Sequence, residues 1–255
     1  MAERSAEEMV AYALEMDPEL LPYAPELLAD LDALGADAEV IVAAIASLGL
    51  GSATVVDLGS GKGAVAIAVA RELGLTVHGI DLFEPFVDIA RHAAEAAGVA
   101  GICRFSHGDI ATLAGTIEPV DVAVFAALGD VLGPLNVTVG IIRQYVRPGG
   151  FVVINDSCRR DGVTASFPGF EHTGTLAETR TLLTAHGDEL VAEMLESNDG
   201  ESVDEGAVIA ARAHELARRH RELAPRLDAF VESQLAEYEY LDRDTIGAVW
   251  VLRRC

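Results

Sequence analysis

The sequence predicts a doubly wound α/β fold: a seven-stranded, mostly parallel sheet with helices on both faces, helices at the N-terminus and a helical insert before the last strand. Three observations predict it. Short apolar runs alternate with helix-like segments from Thr54 to Asn155. A glycine cluster, Gly59-Ser60-Gly61-Lys62-Gly63, sits where the first run gives way to the first of those segments. The tail then returns to two more apolar runs around a long charged helical stretch, which suggests an antiparallel edge.

The first fifty residues read as helices. Asp17-Pro18 starts one piece, Pro25 suits an early helix position, and Asp37 serves as the N-cap of a third. In that third helix Ile41, Ala44, Ile45 and Leu48 fall at helical spacing and give one core-facing stripe.

From Thr54 the rhythm changes. Thr54 to Leu58 reads as a buried strand, and Lys62 to Leu73 as a helix against a sheet. Thr76 to Ile80 is a second strand ended by Asp81. Phe83, Phe86, Val87, Ala90, Ala94 and Ala97 then mark a helix stopped at Gly98. Ile102 to Ser106 is a third strand and Val120 to Phe125 a fourth. A helix from about Val137 to Tyr145 precedes the turn signal Arg147-Pro148-Gly149-Gly150, and Phe151 to Asn155 is the fifth strand. Right-handed crossovers bring the C-terminal ends of such strands to one edge, where ligands bind in open α/β sheets.

In the tail, Thr175 to His186 is helical, Glu189 to Glu196 a strand, Ser202 to Tyr240 a helical region interrupted at Pro225, and Ile246 to Leu252 the last strand. Phe230, Leu235, Tyr238 and Tyr240 fit a lid over an acceptor pocket, or equally core or a homodimer contact. No linker cuts the chain, so the expectation is a single domain over 1–255: N-terminal helices to 50, a core over 51–158, and a second half over 159–255 with the helical lid at about 199–243.

Composition narrows the function. The 255 residues carry a formal net charge of −23, and Lys62 is the single lysine. Such a chain repels phosphate backbones, so polymeric nucleic acid is a poor partner. The arginines from Arg212 to Arg226 read as a solvated face pairing with nearby glutamates, an anionic-substrate clamp being the lesser reading. The longest apolar stretch, Val40 to Val56, is too short and too interrupted to span a bilayer, and the N-terminus lacks the apolar core of a signal peptide; no membrane association and a cytoplasmic location are expected. Cys103, Cys158 and Cys255 form no CxxC pair or zinc-like set, so no metal is expected, and only Cys158 lies near the site edge.

The chemistry concentrates in Asp57-Leu58-Gly59-Ser60-Gly61-Lys62-Gly63. Glycines between strand and helix let the backbone turn tightly and approach a ligand, and the amides opening the helix face a polar group. Gly63 stands where a phosphate-binding P-loop needs Ser or Thr, which excludes that loop. Gly59, Gly61 and Ala64 satisfy the looser dinucleotide pattern GxGxxA. Asp57, two residues before the first glycine, places a carboxylate in the crevice, suited to a ligand with an ammonium and a sulfonium and unwelcome beside a pyrophosphate. Asp81 at the second strand's end is placed for ribose hydroxyls, and Asp109 in Gly108-Asp109-Ile110 follows the third strand on the same edge. Three acids on successive strand ends describe a site for a cationic nucleoside.

These residues, with Arg147-Pro148-Gly149-Gly150 before the fifth strand, resemble the class I S-adenosylmethionine-dependent methyltransferases, over roughly Ala53 to Asp156. The resemblance implies a Rossmann-like fold, S-adenosyl-L-methionine as cofactor and a small-molecule methyl acceptor. It implies that Asp57, Gly59, Ser60, Gly61 and Gly63 form the loop beneath the methionine part. Asp81, with Leu82 beside it, would hold the ribose. Gly108, Asp109 and Ile110 would meet the adenine, and Ala126 and Ala127 would face the sulfur end. Thr245 to Leu252 looks like the last, antiparallel strand of the same fold, and the chain is similar to a bacterial and archaeal small-molecule branch with a helical insert before that strand.

Phe125-Ala126-Ala127-Leu128 replaces the Asn/Asp-Pro-Pro-Tyr set of methyltransferases acting on DNA bases or glutamine, and the cysteine cluster of arsenite methyltransferases is missing. If a hydroxyl or thiol is methylated, candidate catalytic bases are Asp130 after the fourth strand, Asp156 after the fifth, and Glu171 or His172 in the loop from Phe167 to Gly174. Two rivals remain at this point: a NAD(P)-dependent oxidoreductase, served equally by GxGxxA and Asp81, and a non-catalytic S-adenosylmethionine-binding module.

Overall fold

The computed structural model describes residues 5–164, 167–170, 172–195 and 205–255. Its strands are β1 (Thr54–Leu58), β2 (Thr76–Asp81), β3 (Cys103–His107), β4 (Val120–Ala126), β5 (Val146–Arg159), β6 (Glu189–Leu195) and β7 (Thr245–Arg253). Its helices are α1 (Ala6–Ala13), α2 (Ala24–Leu27), α3 (Ala38–Ser47), α4 (Ala64–Leu73), α5 (Glu84–Ala96), α6 (Ile110–Leu113), α7 (Leu135–Ile142), α8 (Leu176–Leu183), α9 (Glu205–Arg219) and α10 (Ala224–Asp244).

The described residues gather into two compact units, one drawn from 33–196 and 246–255, the other from 1–32 and 197–245. The first holds the sheet, in the order β3-β2-β1-β4-β5-β7-β6. Strands β1 to β5 pair in parallel, and β7 runs antiparallel to β6. The order reverses between β1 and β4, so a crevice opens at their C-terminal ends.

Period-two alternation explains how both faces are covered. Val55, Val77, Val122 and Val124 face one core with Ile41 and Ile45 of α3, Val65 and Val69 of α4, and Val87 and Ala90 of α5. Val56, Leu58, Ile80, Ala123 and Phe125 face the other core, with Val139 and Ile142 of α7 and Leu183 of α8. Asp37 caps α3 as expected, its Oδ1 accepting from the Val40 N–H at 3.0 Å.

Two departures from the sequence reading have physical causes. The turn signal Arg147–Gly150 does not precede the fifth strand but lies inside β5. Gly149, at φ +80°, lets the chain bend, and the kinked segment is held by Gly149 N–H to Arg254 O and Arg254 N–H to Gly150 O, both 2.8 Å. The late helical region breaks at His220 rather than at Pro225, which sits in the first turn of α10 where no N–H is required.

The helical unit is tied by ion pairs between its late and early parts. Arg212 forks onto Asp30 at 2.6 and 2.7 Å, Arg219 pairs with Glu26, and Arg226 reaches Glu19 at 2.7 Å and Asp17 at 3.3 Å. The arginine cluster therefore pairs largely with N-terminal acids rather than with nearby glutamates. Among the described residues no helix is long and apolar enough to cross a membrane.

Candidate functional site

The site is built where β1 stops. The amides of Gly59 and Ser60 both donate to Ile80 O, at 2.8 and 3.0 Å, so the glycine turn is pinned to β2. Gly63 opens α4 at φ +87°, and a Cβ there would lie 2.7 Å from Phe105 Cζ; only glycine permits this approach of helix to sheet. Across the turn, a Cβ on Gly59 would lie 2.3 Å from Leu128 Cδ1, so the turn abuts the chain leaving β4.

Asp81 closes the turn from the tip of β2. Its Oδ2 accepts from Gly61 N–H at 2.7 Å and its Oδ1 from Phe83 N–H at 2.8 Å, while its backbone O accepts from Gly108 N–H at 2.9 Å. Burial raises the Asp81 carboxyl above its ordinary range, against those amides and the nearby His107. Leu82 offers its carbonyl to His107 Nε2 at 2.9 Å. Asp109 caps α6 through Ala111 N–H at 2.8 Å, and the Tyr145 hydroxyl donates to Ile110 O at 2.5 Å. The predicted second and third acids thus stand on one edge, joined through Gly108.

Asp57 is different. It shares the sheet face of Val55, which α4 covers, and it is 2% exposed rather than set in an open crevice. Burial pushes its carboxyl up to about 7, opposed by the Ala66 N–H that it accepts and assisted by the charge of Asp81. Its Oδ2 and the Ser60 Oγ are buried without a protein hydrogen-bond partner. The orphaned Ser60 Oγ, on the turn itself, suits a polar ligand there, whereas the Asp57 Oδ2 is orphaned beneath α4.

At the tips of β4 and β5, Ala126 is buried and opposite Asn155, and Ala127 is left-handed at φ +52°, its N–H donating to Asn155 O at 2.9 Å. A non-glycine residue in that region costs energy, and such strain collects at functional sites. Asp156 has its carboxyl pushed up to about 6 by burial and then by the charge of Asp130, opposed by Ser157 N–H at 2.7 Å. The structure therefore places the charge of Asp130 within reach of Asp156. Glu171 lies outside the described residues, and Cys158 is fully buried in the core with its thiol pushed up by burial.

Sequence reasoning missed Gly79, Asn155 and residues 34–37. Gly79 gave no signal because it sits inside a strand, yet a Cβ there would meet Phe105 Cδ1 at 2.4 Å and Ser60 Oγ at 2.8 Å. Asn155 accepts from Asp37 N–H at 3.1 Å, a contact across 118 residues that no local pattern encodes.

A glycine turn at a topological switch point, a strand-tip acid closing it and a strained β4 tip place this chain among the open α/β proteins with a crevice at their strand ends. Residues 55–150 match the family model of a methyltransferase domain. Protein YjhP of Escherichia coli is 32% identical over 102 residues, and its crystal structure superimposes with a TM-score of 0.75 at 20% identity, covering 91% of this chain and 98% of that one. The tRNA 5-carboxymethoxyuridine methyltransferase of Escherichia coli is 34% identical over 107 residues, 42% of this chain. The matches span 41% of the length of these curated relatives. The S-adenosylmethionine-dependent methyltransferase of Thiobacillus denitrificans, solved with S-adenosyl-L-homocysteine, is 26% identical with a TM-score of 0.71, covering 91% of this chain and 98% of that one. Over residues 55–150 the chain is thus similar to a methyltransferase domain, and its sheet is of the kind found in the S-adenosylmethionine-dependent methyltransferase on which it superimposes.

Proposed function

We propose that the protein transfers a methyl group from S-adenosylmethionine to a small molecule. The observation that carries this reading is the orphaned Ser60 Oγ on a glycine turn closed by Asp81. Gly59, Ser60, Gly61 and Gly63 form the turn, with Asp57 behind it to balance positive charge; Asp81 and Leu82 take the ribose, Gly108, Asp109 and Ile110 the base, and Ala126 the sulfur end. When bound, the cofactor would supply an electrophilic methyl group whose sulfur is the leaving group, departing as a neutral thioether. The chain's own task is alignment, worth up to about 7–11 kcal/mol when reactants are held at attack distance.

Asp156 is the proposed base, with Asp130 as the neighbour that tunes it. A carboxyl held at about 6 can take a proton from a hydroxyl, thiol or ammonium near neutral pH better than an ordinary one can. The relative that modifies tRNA matches over 42% of this chain, and the −23 charge disfavours a polyanion, which favours a small-molecule acceptor. The GxGxxA pattern also allows a nicotinamide cofactor, but a buried carboxyl at Asp57 disfavours a pyrophosphate. Incubating the protein with S-adenosylmethionine and a panel of small hydroxyl, amine and thiol acceptors, alongside bulk tRNA, tests the proposal. Release of S-adenosylhomocysteine with one small acceptor supports it; release with tRNA alone overturns the acceptor class.

A further inference from the structure

We infer that Asn155 is a positioning residue which latches residues 34–37 across the strand tips as a strap over the cofactor turn. The inference rests on the S-adenosylmethionine reading of the crevice but adds to it a moving part and the residue that holds it.

Asn155 stands at the tip of β5, 4% exposed, opposite Ala126 of β4. Three of its groups are used on three different segments. Its Oδ1 accepts from Asp37 N–H at 3.1 Å, its Nδ2 donates to Ala248 O of β7 at 3.3 Å, and its backbone O accepts from Ala127 N–H at 2.9 Å. A short polar side chain buried at a sheet edge and spent in this way aligns its neighbours, since removing it leaves the Asp37 amide without that acceptor.

The strap itself touches each part of the crevice rim in turn. Leu34 Cδ1 lies 3.4 Å from where a Cβ on Gly61 would stand, so it packs on the cofactor turn. Gly35, at φ +80°, brings its backbone so close to the strained β4 tip that a Cβ on it would be 3.3 Å from Ala127 Cβ. Asp37 then meets Asn155 and, with its own side chain, caps α3. Four consecutive residues therefore cross the ends of β1, β4 and β5. They belong to no helix or strand, and the Asn155–Asp37 hydrogen bond ties them to β5. A segment so held opens at low cost, and its opening governs how the cofactor enters and leaves.

The test measures the strap with and without ligand. In the ligand-free protein, hydrogen exchange at the Asp37 amide is protected; Asn155→Ala raises its rate at least tenfold while Val56 of β1 and Val124 of β4 keep theirs. With S-adenosylhomocysteine as probe, stopped-flow release from Asn155→Ala and from Leu34→Ala is about tenfold faster than from the parent protein, and the double variant adds little because both act through one segment. Unchanged release from both folded variants overturns the proposal, as does an Asp37 amide that is indifferent to Asn155. If Asn155→Ala loses protection throughout the sheet, Leu34→Ala alone decides: faster release supports the strap and unchanged release overturns it. If the parent protein fails to bind S-adenosylhomocysteine, the cofactor reading has failed, and the ligand-free exchange at Asp37 still judges the latch.

Discussion

Asp81 Oδ2 accepts the Gly61 amide at 2.7 Å, so the acid on β2 and the turn after β1 form one piece. The Asp81 carboxyl, twenty residues downstream, thereby fixes the shape of the loop. Replacing Asp81 with Ala removes the acceptors of both Gly61 and Phe83 N–H groups. The expected result is a loss of S-adenosylhomocysteine affinity of at least tenfold by calorimetry, with an unaltered far-ultraviolet circular dichroism spectrum.

Gly79→Ala tests the packing beneath that loop. Its new methyl would collide with Phe105 Cδ1 at 2.4 Å and crowd Ser60 Oγ at 2.8 Å. Overfilling a close-packed site costs about 1–3 kcal/mol, so denaturant unfolding should shift to lower midpoint with little change in slope.

The acid pair at the β4 and β5 tips makes a titration prediction. Burial and then the Asp130 charge raise the Asp156 carboxyl to about 6. Asp130→Asn removes the second cause, so the Asp156 carbon resonance should titrate at lower pH in that variant. Once an acceptor is in hand, the rate should rise with pH through 6 as Asp156 loses its proton, and Asp156→Asn should abolish that rise and slow turnover by about 10²–10⁴-fold.

The helical unit carries its own pH signature. Glu237 is pushed up to about 8, first by burial and then by its contact with Glu15, which burial also raises. Between its ordinary value of 4.5 and 8 the native state holds a proton that the unfolded chain has released. Stability from this group is therefore full below pH 4.5 and declines as pH rises through that window. Glu237→Gln should flatten the decline and raise the melting temperature at pH 8 relative to the parent, measured by calorimetric scans at several pH values.

Local pattern carried much of the fold. The alternation of Val55, Asp57 and Val56, Leu58 between faces is a two-residue period, and the stripe of Ile41 and Ile45 is a helical one, so both could be read without a partner in view. His220 could not, because a histidine has no signature of a helix break, whereas Pro225 has one and drew the reading away. The site divides in the same manner. Asp81 and Asp109 were legible because strand tips share an edge. The orientation of Asp57 toward α4 needed its face, and the contacts of Asn155 with Asp37 and Ala248 join segments separated by 118 and 93 residues.

One titration reaches the centre of the account. Calorimetry of the purified protein against S-adenosylhomocysteine and, separately, NADH should give one saturable site for the first, weakened in Asp81→Ala, and no heat of binding for the second. Saturable binding of NADH, with S-adenosylhomocysteine ignored up to millimolar concentration, would contradict the assignment of this crevice to an adenosyl sulfonium.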